Sequence, residues 1–387
     1  MPLAEAREVR PVNRELVVVD RSDEPIAGLP EASLAEVTWD LNLPGGAKVS
    51  GHPLSPGMSL LNNIEHELQV WIDDELVWQG VMWDFTGDST TVTLDCEGLL
   101  SLFKGRFIDT SSVIYGTLGD PGNPNADPPI PPTPSVGMEQ FFIAWDLLRY
   151  AQDESNEPYR DLNIDASNFG SSGVQRFRQY LRDDHKNILD ALMEFDSRTL
   201  DRGFDWEIVT DGSGGRFWTP YYPRKGAAKA DLAFEYDSQG SRNIAGFTWS
   251  RIGRNMATKV YATGGTVSVE GADPFKVEGN YENEAASAQY GQHTAIISEG
   301  SQLDHDWLTD RATREVNARD HPQVITQIKS VRSKDIDLFG KLVTGDWVPV
   351  YIDYGLVQSN AWYRVEQVKL NADDSLEFSF GSEMVGL

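Results

Sequence analysis

Cysteine is almost absent from this 387-residue chain: the single Cys96 can form no internal disulfide, and no Cys/His cluster has zinc-ligand spacing. Folding must therefore rest on apolar burial, which a chain of this length supplies in two or three domains. Long hydrophobic runs are missing as well. The opening residues MPLAEAREVR mix acids and bases without a signal-peptide core, and no run approaches the ~20 apolar residues of a membrane span. A chain made as a soluble cytosolic product, with no direct membrane insertion, is expected. Basic residues are scarce: 33 Lys and Arg face 60 Asp and Glu, giving a formal charge of -27. Wrapping DNA or an anionic membrane requires clustered cations to displace counterions, so the charge argues against such partners. There is no Walker A loop, no G-x-S-x-G elbow and no H-E-x-x-H pair, which removes phosphoryl transfer, α/β-hydrolase chemistry and zincin proteolysis.

What is present is the content of a packed protein, with 40% hydrophobic residues and 11 tryptophans. From Arg14 to Asp109 the texture is short strands and turns: RELVVVD, SLAEVTWDL, then a Gly/Pro-rich excursion from Pro44 to Pro56. HELQVWIDDELVWQGVMWDF reads as a hairpin in which Leu68, Val70 and Ile72 alternate with Gln69 and Trp71 around an Asp73-Asp74 turn. TVTLDCEG places Val92, Leu94 and Cys96 on one strand face, and GLLSLF reads as a helical turn. Seven prolines between Gly119 and Gly137 mark a boundary. Beyond it, Phe141, Phe142, Trp145 and Leu148 have helical spacing, as do Ile188, Leu189, Leu192 and Met193. FDWEIV, DGSGG and RFWTPYYP then form a second hairpin. Strands resume after Asp231, interrupted by a helix from Ser301, where Ser301 and Asp304 suggest a capping box and Leu303, Trp307, Leu308, Ala312 and Val316 share a face. That helix should cover a sheet. Val348, Val350 and Ile352, then YRVEQVKL, a turn at NADD, and Leu376, Phe378 and Phe380 alternate to the end.

Each candidate for chemistry has a plainer reading. GSGG at 212–215 and TGG at 263–265 lack a following helix and read as turns rather than anion cradles. Asp304, His305 and Asp306 are consecutive on a helix and cannot converge on one ion. The pairs Asp73/Asp74, Asp183/Asp184 and Asp373/Asp374 fall in turns or before a helix, where solvated carboxylates belong, rather than across a glycosidase cleft. Cys96 reads as a buried structural thiol and His185 as a surface residue. Trp71, Trp78 and Trp83 could stack sugars, but filling a core or anchoring an interface is the plainer reading. No catalytic, cofactor-binding or metal-binding residue is assigned, and the chain is not expected to be an enzyme.

Five segments in order carry a resemblance: LQVWIDDELVWQGVMWDF; TVTLDCEGLLSLFKGRFID; NILDALMEFDSRTLDRGFDWEIVTDGSGGRFWTPYYP; FTWSRIGRNMATKVYATGG; and GDWVPVYIDYGLVQSNAWYRVEQVKL. Together they resemble the hub proteins of phage and contractile-injection tails, including the N-terminal regions of tail-associated lysins and the minor tail proteins of actinobacterial siphophages. The resemblance implies a mainly β fold with α+β insertions: a first tail-tube-like β-barrel at 1–110, an α+β insertion at 111–230 carrying the Pro-rich linker 119–137, and a second barrel at 231–387 with a covering helix near 301–319. It implies a homotrimer at the virion tail tip and no cofactor. The partners it implies are the distal tail protein, the tape measure protein and other tip proteins, with genomic DNA passing through unbound. The lytic or receptor-binding extension that often follows such a hub is not expected after Leu387. The alternatives are an enzyme or binding module for cell-wall glycan and a scaffold of a non-phage injection system.

Overall fold

The computed structural model describes residues 13–62, 64–109, 111–117, 136–152, 161–198, 200, 202–211, 214–237, 240–241, 243–267, 274–300, 303–320, 323–331 and 338–381. The chain opens with seven strands: β1 (Arg14–Val19), β2 (Pro25–Gly28), β3 (Ser33–Asp40), β4 (Gly46–Gly51), β5 (Glu67–Ile72), β6 (Glu75–Gly87) and β7 (Val92–Gly98). They lie in the order β3-β4-β7-β6-β5-β1-β2. Period-two alternation sets the register: β1 pairs with β5 at Leu16↔Val70 and Val18↔Leu68, and all four side chains are buried. The β5–β6 turn uses Asp73 at φ 50 and Asp74 at φ 67, the left-handed pair a tight two-residue hairpin needs.

The Gly/Pro-rich stretch expected as an excursion contains β4. Ala47 and Val49 alternate with Lys48 and Ser50 and pair with Cys96 and Leu94 of β7, so burial of two side chains makes a strand where glycines hide the pattern.

Strands Phe234–Asp237, Gly246–Ile252, Gln323–Val331, Trp347–Tyr354, Val357–Asn371 and Ser375–Phe380 form the second strand-rich segment. The long strand Val357–Asn371 joins it to the first. Its leading half pairs with Trp347–Tyr354, and its trailing half lies between Ser375–Phe380 and β3, with Leu370 opposite Val37. The two strand-rich segments expected as barrels pair into one 14-stranded, mainly antiparallel sheet, and no closed barrel is found among the described residues. The reason is in the packing. One apolar core runs from Leu16 and Val18 through Val37 and Leu370 to Phe378 and Phe380, so the two segments bury a common interior.

A second core lies between them in sequence. Helix α1 (Gln140–Ala151) and α2 (Ile188–Met193) pack with the 3-10 turn Leu99–Gly105 and the hairpin of strands Asp205–Thr210 and Arg216–Tyr221. Glu139 and Asn187 cap the two helices by accepting from the Phe142 and Asp190 amides. On α1 the fully buried apolar positions are Ile143, Ala144, Leu147 and Leu148, while Trp145 stacks on Phe169 at the flank, 5.4 Å between rings. Most of the Pro-rich segment lies outside the described residues.

A third, smaller core surrounds strands Lys259–Val267, Phe275–Glu282 and Thr294–Ser298, with α3 (Glu284–Tyr290) alongside and α4 (His305–Arg319) packed on top. Ser301 of the expected capping box lies outside the described residues. The helix begins at His305, and Asp304 is the cap, accepting from the Asp306 and Trp307 amides at 3.0 and 3.2 Å. Trp307, Leu308, Ala312 and Val316 share the buried face as expected, but they cover this three-stranded sheet rather than the large one. Gly279 permits the close approach: a Cβ there would lie 2.3 Å from the Thr309 amide nitrogen.

Candidate assembly site

Three arginines, each at most 1% exposed at the side chain, tie these cores together. Arg364, on the long strand, is ion-paired with Asp205 of the insertion hairpin and donates to the Ser197 hydroxyl at 3.0 Å and the Lys225 carbonyl at 3.1 Å. Asp205 also accepts from Ser197 Oγ at 2.6 Å, from Asn42 Nδ2 at 3.0 Å and from the Lys225 amide at 2.7 Å. Asn42 follows β3 in a left-handed conformation, φ 61, and its side-chain Oδ1 accepts from the Trp206 amide. One carboxylate thus fastens the end of β3, the insertion and the long strand. A buried charge survives only when paired and fully hydrogen-bonded, and here each oxygen is occupied.

Arg216, on the other strand of that hairpin, reaches back to the first segment, 2.9 Å from Glu67 of β5 and 3.1 Å from Asp23. Burial pushes the Glu67 carboxyl above the usual carboxylate range, against the opposing pull of Arg216 and the Gln79 hydrogen bond. Arg178 lies between the rings of Phe195 and Trp307, 4.8 and 4.9 Å from their centroids, with its Nε 3.1 Å from Glu194. It joins the insertion to α4. The planar guanidinium allows stacking and ion pairing at once.

At the junction opens a cleft of about 500 Å³, lined from every side: Leu43 after β3, Val77 of β6, Val209 of the insertion hairpin, and Phe339 and Val343 before the strand Trp347–Tyr354. Its walls mix apolar side chains with polar ones, Asp40, Glu75, Glu207 and Lys225 among them. Asp40 accepts from Gln367 at 2.7 Å, and its carboxyl is raised by burial above all. Glu207 is held by Tyr221 and by Lys225. Asp40 and Glu207 thus have structural partners, which fix their orientation beside a concave surface of mixed polarity.

The sequence candidates are scattered. Asp73 and Asp74 form the β5–β6 turn, Asp183 and Asp184 lie in a 3-10 turn before α2, and Asp373 and Asp374 lie in the turn after the long strand. Asp374 pairs with Arg14, and Asp373 accepts from the Ser375 amide at 3.1 Å. Cys96 is buried, and burial first, then Asp95, pushes its thiol far above the usual range. His305 has Nδ1 2.6 Å from the Glu278 carbonyl, while His185 is exposed in a left-handed turn. Gly264 and Gly265 sit inside a strand, where its register shifts between Thr263 and Thr266. Trp78 is buried in the main core, Trp71 donates to Gln69, and Trp83 donates to Ser101. Sequence reasoning missed the three arginines. No local signal marked them: in Tyr363-Arg364-Val365 the cation takes the alternate position, where a solvent-facing residue is expected.

No protein-family model and no curated protein sequence matches the chain. Solved structures do. A 43 kDa tail protein of prophage MuSo2 from Shewanella oneidensis is 13% identical, with 95% of this chain and 98% of that one covered and a TM-score of 0.59. A tail protein from Neisseria meningitidis MC58 is 13% identical over 96% and 97% of the two chains, TM-score 0.55. The prophage tail protein gp18 from Listeria monocytogenes EGD-e is 11% identical over 95% and 94%, TM-score 0.54. The chain therefore has a fold found in phage tail proteins, and the likeness runs nearly end to end.

Proposed function

We propose that this protein is a structural subunit of a bacteriophage tail tip, a hub that joins the tail tube to tip proteins and surrounds the DNA channel. The observation that carries the reading is the whole-chain likeness to prophage tail proteins, with nearly the full length of each partner included. The buried arginine clamps support it, because a load-transmitting subunit benefits from domains locked in one arrangement. On this reading the chain divides at about 1–110, 111–230 and 231–387, and the two strand-rich segments act as tube-like barrel units. Three copies present six such units to a sixfold tube, and pairing their edges protects strands that would otherwise aggregate. The distal tail protein, the tape measure protein and other tip proteins are the proposed neighbours, and the proposed location is the virion tail tip.

The rival reading, an enzyme or binding module for cell-wall glycan, draws on the three carboxylates in the cleft. Their hydrogen bonds to Gln367, Tyr221 and Lys225 favour a structural role for Asp40 and Glu207. A symmetry-resolved image of the assembled particle tests the proposal. Three copies around the tail axis are expected; six copies, one copy, or absence from the tip would overturn it. Clearing of host cell wall by the purified chain, lost in Asp40→Asn or Glu207→Gln, would favour the rival.

A further inference from the structure

The longest stretch of this acidic chain without Asp, Glu, Lys or Arg is the 16 residues from Val49 to Ile64. It holds the end of β4 and the loop that follows, and it exposes large aliphatic side chains: Leu54 is 86% exposed, Leu60 55% and Ile64 45%. Such exposure in a loop is ordinary where the loop is loose. This loop is held. Met58 is buried in the main core, the Met58 amide donates to the Ser55 carbonyl at 3.1 Å, and Met58–Leu60 form a 3-10 turn. Gly57 has φ 85, and a Cβ there would lie 2.6 Å from the Gly28 carbonyl oxygen. Ile64 has φ 69, a conformation that a β-branched residue adopts only when its surroundings impose it. Its amide donates to the Met82 carbonyl at 2.7 Å, and its own carbonyl accepts from Arg21 at 3.3 Å. Apolar side chains are thus presented on a backbone ordered beforehand, which lowers the entropy lost on docking.

The cleft between the cores is the matching surface. Leu43, Val209 and Val343 line it while remaining 38%, 41% and 40% exposed. Its walls carry three carboxylates and one ammonium, so an acidic occupant is repelled whereas an uncharged apolar one is not. On a chain of formal charge -27, the Val49–Ile64 stretch meets that condition over the greatest length. Loop and cleft share no residue, and a contact between two different patches is heterologous, the kind that builds a ring when the rotation between neighbours closes.

We infer that the Leu54/Leu60 loop of one copy seats in the cleft of the next copy. The inference rests on the proposed three-copy ring and specifies its contact. The test measures the mass of the full chain in solution for wild type, a loop variant (Leu54→Asp with Leu60→Asp) and a cleft variant (Val209→Asp with Val343→Asp). All four positions are exposed, and near-UV circular dichroism checks that each variant is folded; Leu54→Ser with Leu60→Ser and Val209→Ser with Val343→Ser replace any that is not. The expected masses are three chains for wild type and one for each variant alone. An equimolar mixture of the variants is expected to give two chains, since one intact loop meets one intact cleft and the ring cannot close. A folded variant that still forms the wild-type assembly overturns the contact and leaves the three-copy reading standing. A wild-type assembly of another size that both variants abolish, with the mixture restoring a pair, supports the contact and overturns threefold symmetry. A wild-type chain that stays monomeric at high concentration overturns both.

Discussion

Arg364 and Asp205 form an ion pair in which neither side chain is more than 1% exposed, linking the long C-terminal strand to the insertion hairpin. Removing one partner of such a pair strands the other charge without solvent. Arg364→Met is therefore expected to cost about 3–5 kcal/mol, measured by denaturant unfolding. Replacing Asp205 as well should not restore the loss, because Asn42, Ser197 and the Lys225 amide would lose their acceptor. Wild-type stability in the single variant would refute the clamp.

Arg178→Lys keeps the charge but not the planar fork stacked between Phe195 and Trp307. A loss of about 2 kcal/mol is expected, from desolvated cation–π contacts. The emission of Trp307, isolated by comparison with Trp307→Phe, should shift in the same variant. An unchanged spectrum with unchanged stability would mean the ring contacts contribute nothing.

Glu315 on α4 accepts from Arg311 at 2.7 Å and Arg319 at 2.9 Å. Burial raises its carboxyl, but the two arginines together outweigh burial, and the net direction is below the ordinary 4.5. A carboxylate with a depressed folded pKa contributes stability that is present above its unfolded value and lost as pH falls through the folded one. Glu315→Gln should therefore be less stable than wild type at pH 7, with the gap narrowing as pH drops below about 4.5. A gap that widens in acid would reverse the sign and sink the account.

Three copies would bring a formal charge of -81, three times -27, to a ring around DNA. Surplus carboxylates repel a polyanion and give phosphates no cation to displace counterions. Gel-shift assays at physiological salt are expected to detect no binding of duplex DNA. Tight binding, or a channel lined mainly by Lys and Arg, would contradict the passage proposed.

The local order of this protein was legible residue by residue. The Asp73-Asp74 turn between alternating strands, the apolar spacing of α2 and the shared face of Trp307, Leu308, Ala312 and Val316 follow from periodicities of two and 3.6, which act over a few neighbours. Strand β4 was hidden because its burial depends on β3 and β7 lying on either side. The sequence also set the charge and the absence of metal-ligand spacing. Only the tertiary structure decided that Leu370 lies opposite Val37, merging two strand-rich segments over one core, and that α4 serves a separate sheet. It also decided which arginines are buried. Arg364 looks like any solvent-facing cation in its strand until Asp205, 159 positions away, arrives beside it. Such pairings depend on burial and charge contributed by distant segments, and no local pattern encodes which segment will supply them.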